Sequence, residues 1–226
     1  MKLYYHPAST SCRPAMLYAA EAGIPLDYQL VDIFTGEQYG KPFESVNPNH
    51  LIPVLEDGSF RLTEVSAILK YLADKTGSPG YPKDLQQRAR VNERMDWFNT
   101  QFNREFNYGF VYPQIFGFMK RPTDEFQQGQ IAWGKERAAN WLKVLNDSIL
   151  GPGNKYLCGN EITIADHMGA VMLAAGEVAR CSFADYPNVC AWLARMKTLP
   201  SWNKTHEAIS GYATSLKDQP NDGMRP

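Results

Sequence analysis

The sequence predicts a two-part protein: a small α/β domain followed by an all-helical one. Two observations carry this. Residues 2 to 77 alternate strand and helix in the order β-α-β, then β-β-α, with a proline at the head of the third strand. Beyond the turn-rich stretch Ser78-Pro79-Gly80-Tyr81-Pro82 no strand pattern persists, and the remaining apolar residues recur at helical spacing.

Taken in order, Lys2-Leu3-Tyr4-Tyr5 reads as a strand, Cys12 to Ala22 as a helix ended by Gly23, and Leu26 to Val31 as a second strand. Val54-Leu55 and Phe60-Arg61-Leu62 flank Asp57-Gly58, a hairpin turn signal. Thr63 is placed to cap a helix from Glu64 to about Thr76, which Gly77 closes. In the second half, helices are expected over Leu85 to about Tyr108, Asp124 to Leu150, Ile164 to Arg180 and Pro187 to Leu199. Gly109, Pro113 and Gly117 are expected to break the first of them. Thr163-Ile164-Ala165-Asp166 is a capping-box variant, so Asp166 reads as a helix nucleator rather than a catalytic acid. The resulting division is 1–77 for the α/β domain, 78–84 for the linker, 85–212 for the helical domain and 213–226 for a frayed tail.

Composition excludes several functions. A chain of 226 residues with 44% apolar content is an ordinary globular protein. Its net charge of −1, without a local basic run, argues against a nucleic-acid footprint. Cys12, Cys158, Cys181 and Cys190 show no metal-like spacing and the histidines are scattered, so no metal site is expected. The start MKLYYHPAS lacks an apolar signal core, which points to a cytoplasmic location and reduced thiols. The longest apolar run, Met168 to Gly176, is too short to span a bilayer.

The stretch VNPNHLIPVLEDGSFRLTEVSAI, from Val46 to Ile68, is the most informative. Pro53 interrupts an otherwise good strand pattern and donates no ladder hydrogen bond, so it marks an edge, a strand start or a cis turn. In each case the backbone of Ile52 is free to pair with something other than the sheet. Beside it, Glu64 opens a helix, and this combination suits a small peptide-like ligand carrying both charges. Near the start, His6-Pro7-Ala8-Ser9-Thr10-Ser11-Cys12-Arg13-Pro14 leaves Ser9 to Ser11 at a helix N-terminus, a place that favours an anion. Ser9 is either a plain cap there or a hydroxyl that donates to a ligand's thiolate. No G-x-S-x-G elbow or serine triad pattern makes it a nucleophile.

Four blocks, YYHPASTSCRP, VNPNHLIPVLEDG with LTEVSAILKYLA, YPKDLQQRARVNERMDW and LCGNEITIADH, together resemble the cytosolic glutathione S-transferases, nearest to the serine-type theta and delta classes. The resemblance runs over roughly residues 1 to 210. It implies a thioredoxin-like N-terminal domain with a mixed four-stranded sheet, an all-α C-terminal domain, glutathione as co-substrate, no metal, and a homodimer. It implies that Ser9 activates the thiol and that Pro53 is a cis-proline beside which Ile52 lends its N–H and C=O to glutathione. It further implies that Glu64 binds the γ-glutamyl ammonium, that the backbone at Val65 holds the γ-glutamyl carboxylate, and that His50 lies on the glutathione side. Asp96 and Asn99 lie where relatives reach toward the partner subunit's site.

The pattern departs from the family in two places. Val65 stands where a serine is usual, with Ser66 beside it as the substitute donor, and Gln38 stands where basic residues or histidine meet the glycyl carboxylate. Tyr5 and Cys12 are the rival activating groups; Tyr5 sits before the His-Pro turn, and Cys12 lies a turn into an apolar helix. For the second substrate, Tyr108, Tyr112 and Phe116 are expected to line an apolar pocket, while Phe98, Phe102 and Phe106 read as core. Arg104 is expected to reach the thiolate, the acceptor pocket or an acid of the next helix. The function expected is conjugation of glutathione to small apolar electrophiles, with peroxide reduction as a further activity. The alternatives are a non-catalytic ligand-binding module of the same fold and a thiol–disulfide oxidoreductase.

Overall fold

The computed structural model describes residues 1–151, 153–218 and 223. The first domain builds a mixed sheet of β1 (Lys2–Tyr5), β2 (Asp27–Leu30), β3 (Val54–Asp57) and β4 (Phe60–Leu62) in the order β2-β1-β3-β4. β1 and β2 run parallel, and β3 is antiparallel to both β1 and β4. Side chains alternate across a strand, and here the alternation splits two adjacent residues of β3. Leu55 turns to the main core with Leu3, Leu17, Ile68, Leu69 and Leu72, whereas Val54 turns to a second cluster with Val31 and Phe43. The main-core face is covered by α1 (Arg13–Glu21) and α3 (Val65–Thr76), while α2 (Lys41–Glu44) supplies Phe43 to the other. Gly23 and Gly77 take left-handed conformations after α1 and α3, as their placement predicts.

Register decides where the site lies. Tyr4 pairs with Val54, and Leu55 with Leu62. The chain leaving β1, the chain entering β3 and the chain leaving β4 therefore meet at one end of the sheet. Those segments carry Ser9, Ile52-Pro53 and Glu64, respectively.

The helical domain comprises α4 (Leu85–Trp97), a π-register stretch (Phe98–Val111) that continues into α5 (Tyr112–Ile115), then α6 (Asp124–Val144) with a π-register end (Leu145–Ile149), α7 (Ile164–Val178), α8 (Pro187–Lys197) and α9 (Trp202–Ser215). α7 is buried on nearly every face, and the apolar core runs through both domains without a break.

Two expectations are corrected here. Gly109 and Pro113 do not break the first long helix; only Gly117 follows a break, with Phe116 extended. Pro113 falls in the first turn of an α segment, where a missing N–H is tolerated. The carbonyl of Gly109, left without that proline's N–H, accepts instead from Gln130 Nε2 at 3.0 Å. The second correction is α9, which the sequence reading did not recognise. It runs to Ser215, so residues 213 to 215 of the expected tail are helical. Gly223 is buried, its carbonyl near Lys135 Nζ, and the remaining tail positions lie outside the described residues.

α6 crosses the π-register stretch at Gly134, where an added Cβ would lie 2.4 Å from the Gly109 carbonyl oxygen. Gly134→Ala is expected to destabilise the fold by about 2 kcal/mol, because backbone overlap of this kind outweighs the ~1 kcal/mol of helix propensity that alanine brings. A lowered denaturation midpoint checks this; an unchanged or raised midpoint would show that the helices separate freely.

Candidate functional site

The loop into β3 is held by Asn47, whose side chain is almost fully buried. Its Nδ2 donates to the Leu51 carbonyl at 2.7 Å, its Oδ1 accepts from Asn49 N at 3.0 Å, and its carbonyl accepts from His50 N at 3.0 Å. The loop delivers a cis Ile52–Pro53 bond, and the ladder begins only at Val54, so Ile52 stands outside it. His50 takes a left-handed conformation, and its Nδ1 donates to the Gln38 carbonyl at 2.8 Å. The structure thus brings together His50, Gln38, Ile52 and Pro53. Asn47 lies within the recognised motif but was not singled out; its signal is an Asn-Pro-Asn turn that needs its own hydrogen bonds.

At the start of α3 the capping expectation is corrected. Glu64, not Thr63, occupies the cap position, with φ 63° and ψ 112° and no side-chain cap bond. A non-glycine residue in this region costs about 1–3 kcal/mol, and such strain concentrates at functional sites. Its effect is to leave the first-turn N–H groups of α3 uncapped while the Glu64 carboxylate stands exposed beside them. Uncapped N–H groups favour an anion and a carboxylate favours a cation. Val65 is buried in the core, so its backbone rather than its side chain is available here. Ser66 is half-buried.

Ser9 closes the third side. It begins the turn that leads into α1, its carbonyl accepting from Arg13 N at 3.1 Å and its Oγ from Cys12 N at 3.3 Å. Cys12 is completely buried, and burial pushes its thiol up to about 11, against the opposing pull of the Ser9 hydroxyl beside it. A thiol so placed is protonated at neutral pH and out of solvent reach. Tyr5 is drawn away along the sheet, its ring 5.0 Å from that of Tyr28. Of the three rival groups, Ser9 is the half-buried hydroxyl at the helix start.

The residues expected to line the acceptor pocket form an aromatic ladder. Tyr108 meets Tyr112 at 5.0 Å, and Tyr112 meets Phe116 at 5.4 Å between ring centroids. Burial holds the Tyr108 phenol above its ordinary ionisation range, and the nearby charge of Glu64 adds to it, which puts Tyr108 near the start of α3. The Tyr112 phenol is raised by burial and interacts with the Thr10 hydroxyl, next to Ser9. Sequence reasoning missed Phe34 and Tyr212. Phe34 contacts His6, Phe116 and Tyr212, and Tyr212 stacks on Phe116 while its hydroxyl donates to the Ile115 carbonyl at 2.6 Å. Tyr212 comes from the unrecognised α9, and Phe34 from a loop with no periodicity to mark it. Arg104 is not part of this ladder. Its side chain is 65% exposed and pairs with the neighbouring Glu105, which also accepts from Arg137 and Trp141 of α6. Asp166 accepts hydrogen bonds at the start of α7, far in the chain from any of these groups.

Among the described residues no cluster of histidine, cysteine or carboxylate side chains can hold a metal ion, and no helix is long and apolar enough to cross a membrane. Residues 8–75 match the N-terminal domain of glutathione S-transferases, and residues 112–200 match the C-terminal domain. Glutathione S-transferase theta-3 of Mus musculus is 32% identical over 97% of this chain and 91% of its own. The chain belongs to the glutathione S-transferase family. Human glutathione transferase theta-2, solved with glutathione, superimposes with a TM-score of 0.84 at 29% identity, covering 100% of this chain and 93% of that one. A delta-class glutathione transferase from Nilaparvata lugens gives 0.78 at 28% identity, covering 96% of this chain and 98% of that one. The thioredoxin-like domain with its mixed four-stranded sheet and the all-helical second domain are those of this transferase family, and the enzyme class follows with them.

Proposed function

We propose that this transferase binds glutathione across the end of the sheet and that Ser9 holds its sulfur as a thiolate. The observation that carries the reading is the meeting of three segments there: the Ser9 turn, the cis Ile52–Pro53 bond and the uncapped start of α3. The Ile52 backbone pairs with the cysteinyl amide of the peptide, the Glu64 carboxylate takes the γ-glutamyl ammonium, and the first-turn N–H groups at Val65 and Ser66 take its carboxylate. His50 and Gln38, linked to each other, serve the glycyl end. The sulfur then sits beside Ser9, with Tyr108, Tyr112 and Phe116 forming the wall against which an apolar electrophile lies, and Phe34 and Tyr212 extending it.

The energetics are sufficient. A free thiol ionises near pH 8.5, so only a few per cent is thiolate at neutrality. A charge-assisted hydrogen bond is worth about 1.5–3 kcal/mol, and each pKa unit takes about 1.4 kcal/mol, so one hydroxyl moves the thiol by roughly one to two units. The thiolate attacks an electrophilic carbon and displaces its leaving group; with a hydroperoxide and a second glutathione it yields the alcohol, water and glutathione disulfide. The protein forms no covalent intermediate.

Titrating the enzyme with glutathione is expected to produce the ultraviolet thiolate band near neutral pH, with turnover of an activated aryl halide. Binding without the band would overturn the role of Ser9; Val65, which removes one hydroxyl donor from the γ-glutamyl site, bears on affinity rather than on ionisation. Glu64→Gln is expected to weaken glutathione binding about tenfold by calorimetry, the difference between a charged and a neutral hydrogen bond; unchanged affinity would remove Glu64 from the site. The thiol–disulfide reading loses its support with the burial of Cys12. A homodimer with exposed Asp96 and half-buried Asn99 near the interface, and a cytoplasmic location, complete the proposal.

A further inference from the structure

Arg13 opens α1 and is completely buried. Its Nη2 donates to Thr10 Oγ1 at 3.4 Å, and its Nε and Nη1 have no hydrogen-bond partner. Among the described residues no carboxylate forms an ion pair with it. A buried guanidinium without a counter-charge is expensive, and proteins rarely keep one without a use. Its placement compounds the cost: it lies in the first turn of a helix that has no acidic residue there, so its charge adds to the positive end of the helix dipole. The N-terminal end of α1 therefore holds an excess of positive charge, and Ser9, one turn earlier, is the half-buried hydroxyl at that end.

We propose that Arg13 is a positioning residue for the transferase reaction: an uncompensated buried cation behind Ser9 whose field, passed through Thr10 and the start of α1, favours the ionised sulfur of bound glutathione. This rests on the assignment of Ser9 above. Arg13 does not touch the peptide in this scheme; Thr10 stands between, and the Tyr112 phenol lies on the same threonine.

The surroundings keep the charge in place and unneutralised. α1 packs against α3, α7 and α9. The titratable groups facing Arg13 are Cys12 of its own turn, Tyr112 of α5 and His206 of α9. Burial brings the guanidinium down to about 10, which leaves it charged at neutral pH, with Tyr112 and Cys12 both protonated beside it. His206, held at about 3 by burial and by Arg13, is neutral. Its Nδ1 donates to the Trp202 carbonyl at 2.9 Å, so its Nε2, buried and without a partner, is an acceptor. No carboxylate from α3 or α7 figures among the groups that set the ionisation of Arg13. The one anion that would complete the set is the substrate thiolate.

The test compares Arg13→Met, which keeps the length and removes the charge, with Arg13→Lys, which keeps the charge. In Arg13→Met the pH midpoint of kcat/KM and of the glutathione thiolate band is expected to rise by about one unit, a tenfold loss of thiolate at neutral pH, with glutathione affinity within threefold of wild type. Arg13→Lys is expected to keep the wild-type midpoint. Removing an unpaired buried charge is also expected to raise the melting temperature of Arg13→Met while its activity falls, a pairing that a structural role does not produce. An unmoved midpoint in Arg13→Met overturns the proposal, and so does its failure to fold. A shift of the same size in an Arg13→Lys variant whose lysine is shown by titration to stay protonated also overturns it, since the charge is then not what matters. A wild-type enzyme with no thiolate band would instead overturn the assignment of Ser9, which separates the two failures.

Discussion

Asp166→Asn is expected to lower the stability of the transferase by about 3–5 kcal/mol while leaving the specific activity of the molecules that remain folded unchanged. The carboxylate is completely buried, and each of its oxygens accepts two hydrogen bonds: Oδ1 from Leu157 N and Trp192 Nε1, both at 2.9 Å, and Oδ2 from Thr163 N at 2.8 Å and Thr163 Oγ1 at 2.9 Å. Burial pushes the carboxyl above its ordinary range and these four donors pull it back. An asparagine keeps the size but turns an NH₂ toward donors, so two bonds are lost and donor faces donor. Each buried donor left without an acceptor costs about 1–3 kcal/mol. Because Asp166 ties the α7 start to the 157 loop and to α8, the loss spreads to the core that both domains share. At about 2–4 °C per kcal/mol for a chain of this size, the melting temperature should fall by roughly 10 °C. A normal melting temperature with lost turnover would make Asp166 the catalytic acid that the capping-box reading sets aside.

What the sequence discloses and what it hides divide along physical lines. The break in the ladder at Pro53 and the start of α1 are legible because proline geometry and helix termini impose local constraints that residue types reveal directly, whereas the cis form of the bond is implied only by the family resemblance. The same holds for Thr163–Asp166, where two residues in fixed spacing make the bond. Helix α9 is hidden because its buried positions are Trp202, Thr205, His206 and Ile209, of which Thr and His are not read as apolar. With α9 unseen, Tyr212 could not be joined to the aromatic wall. Gly109 and Pro113 read as breakers because the rule for proline assumes an α register and no outside donor, whereas Gln130 reaches in to the Gly109 carbonyl. Glu64 is legible as a candidate site residue but not as a strained one, since a positive φ at a glutamate leaves no mark on the sequence. Arg13 is the deepest omission. A charged residue is expected outside, and only packing shows that this one is completely enclosed.

Ser9→Ala is expected to lower turnover at neutral pH by about 10- to 100-fold while glutathione affinity stays within a few-fold of wild type. The asymmetry follows from where the hydroxyl acts. In the proposed binding mode the peptide is held by Ile52, Glu64, the start of α3 and the His50–Gln38 pair, none of which the substitution touches. What is lost is one donor to the sulfur, a bond stronger with the thiolate than with the thiol, so the loss falls on ionisation rather than on binding. The pH profile carries the decisive sign. Removing a donor to the anion raises the thiol pKa, so the deficit is greatest at low pH and closes as pH rises through about 8.5, where free thiol ionises unaided. A deficit constant across pH would mean that Ser9 orients the sulfur instead of ionising it, and an unchanged rate would return the role to Tyr5 or Cys12. Cys12 is the weaker of those two heirs, because its Sγ is enclosed and its thiol is held at about 11. The residual rate of Ser9→Ala is informative too. The N–H groups at the start of α1 survive the substitution, and so does the enclosed charge of Arg13. The alanine variant should therefore still ionise glutathione more readily than water does, and removing Arg13 from it should take away most of what remains.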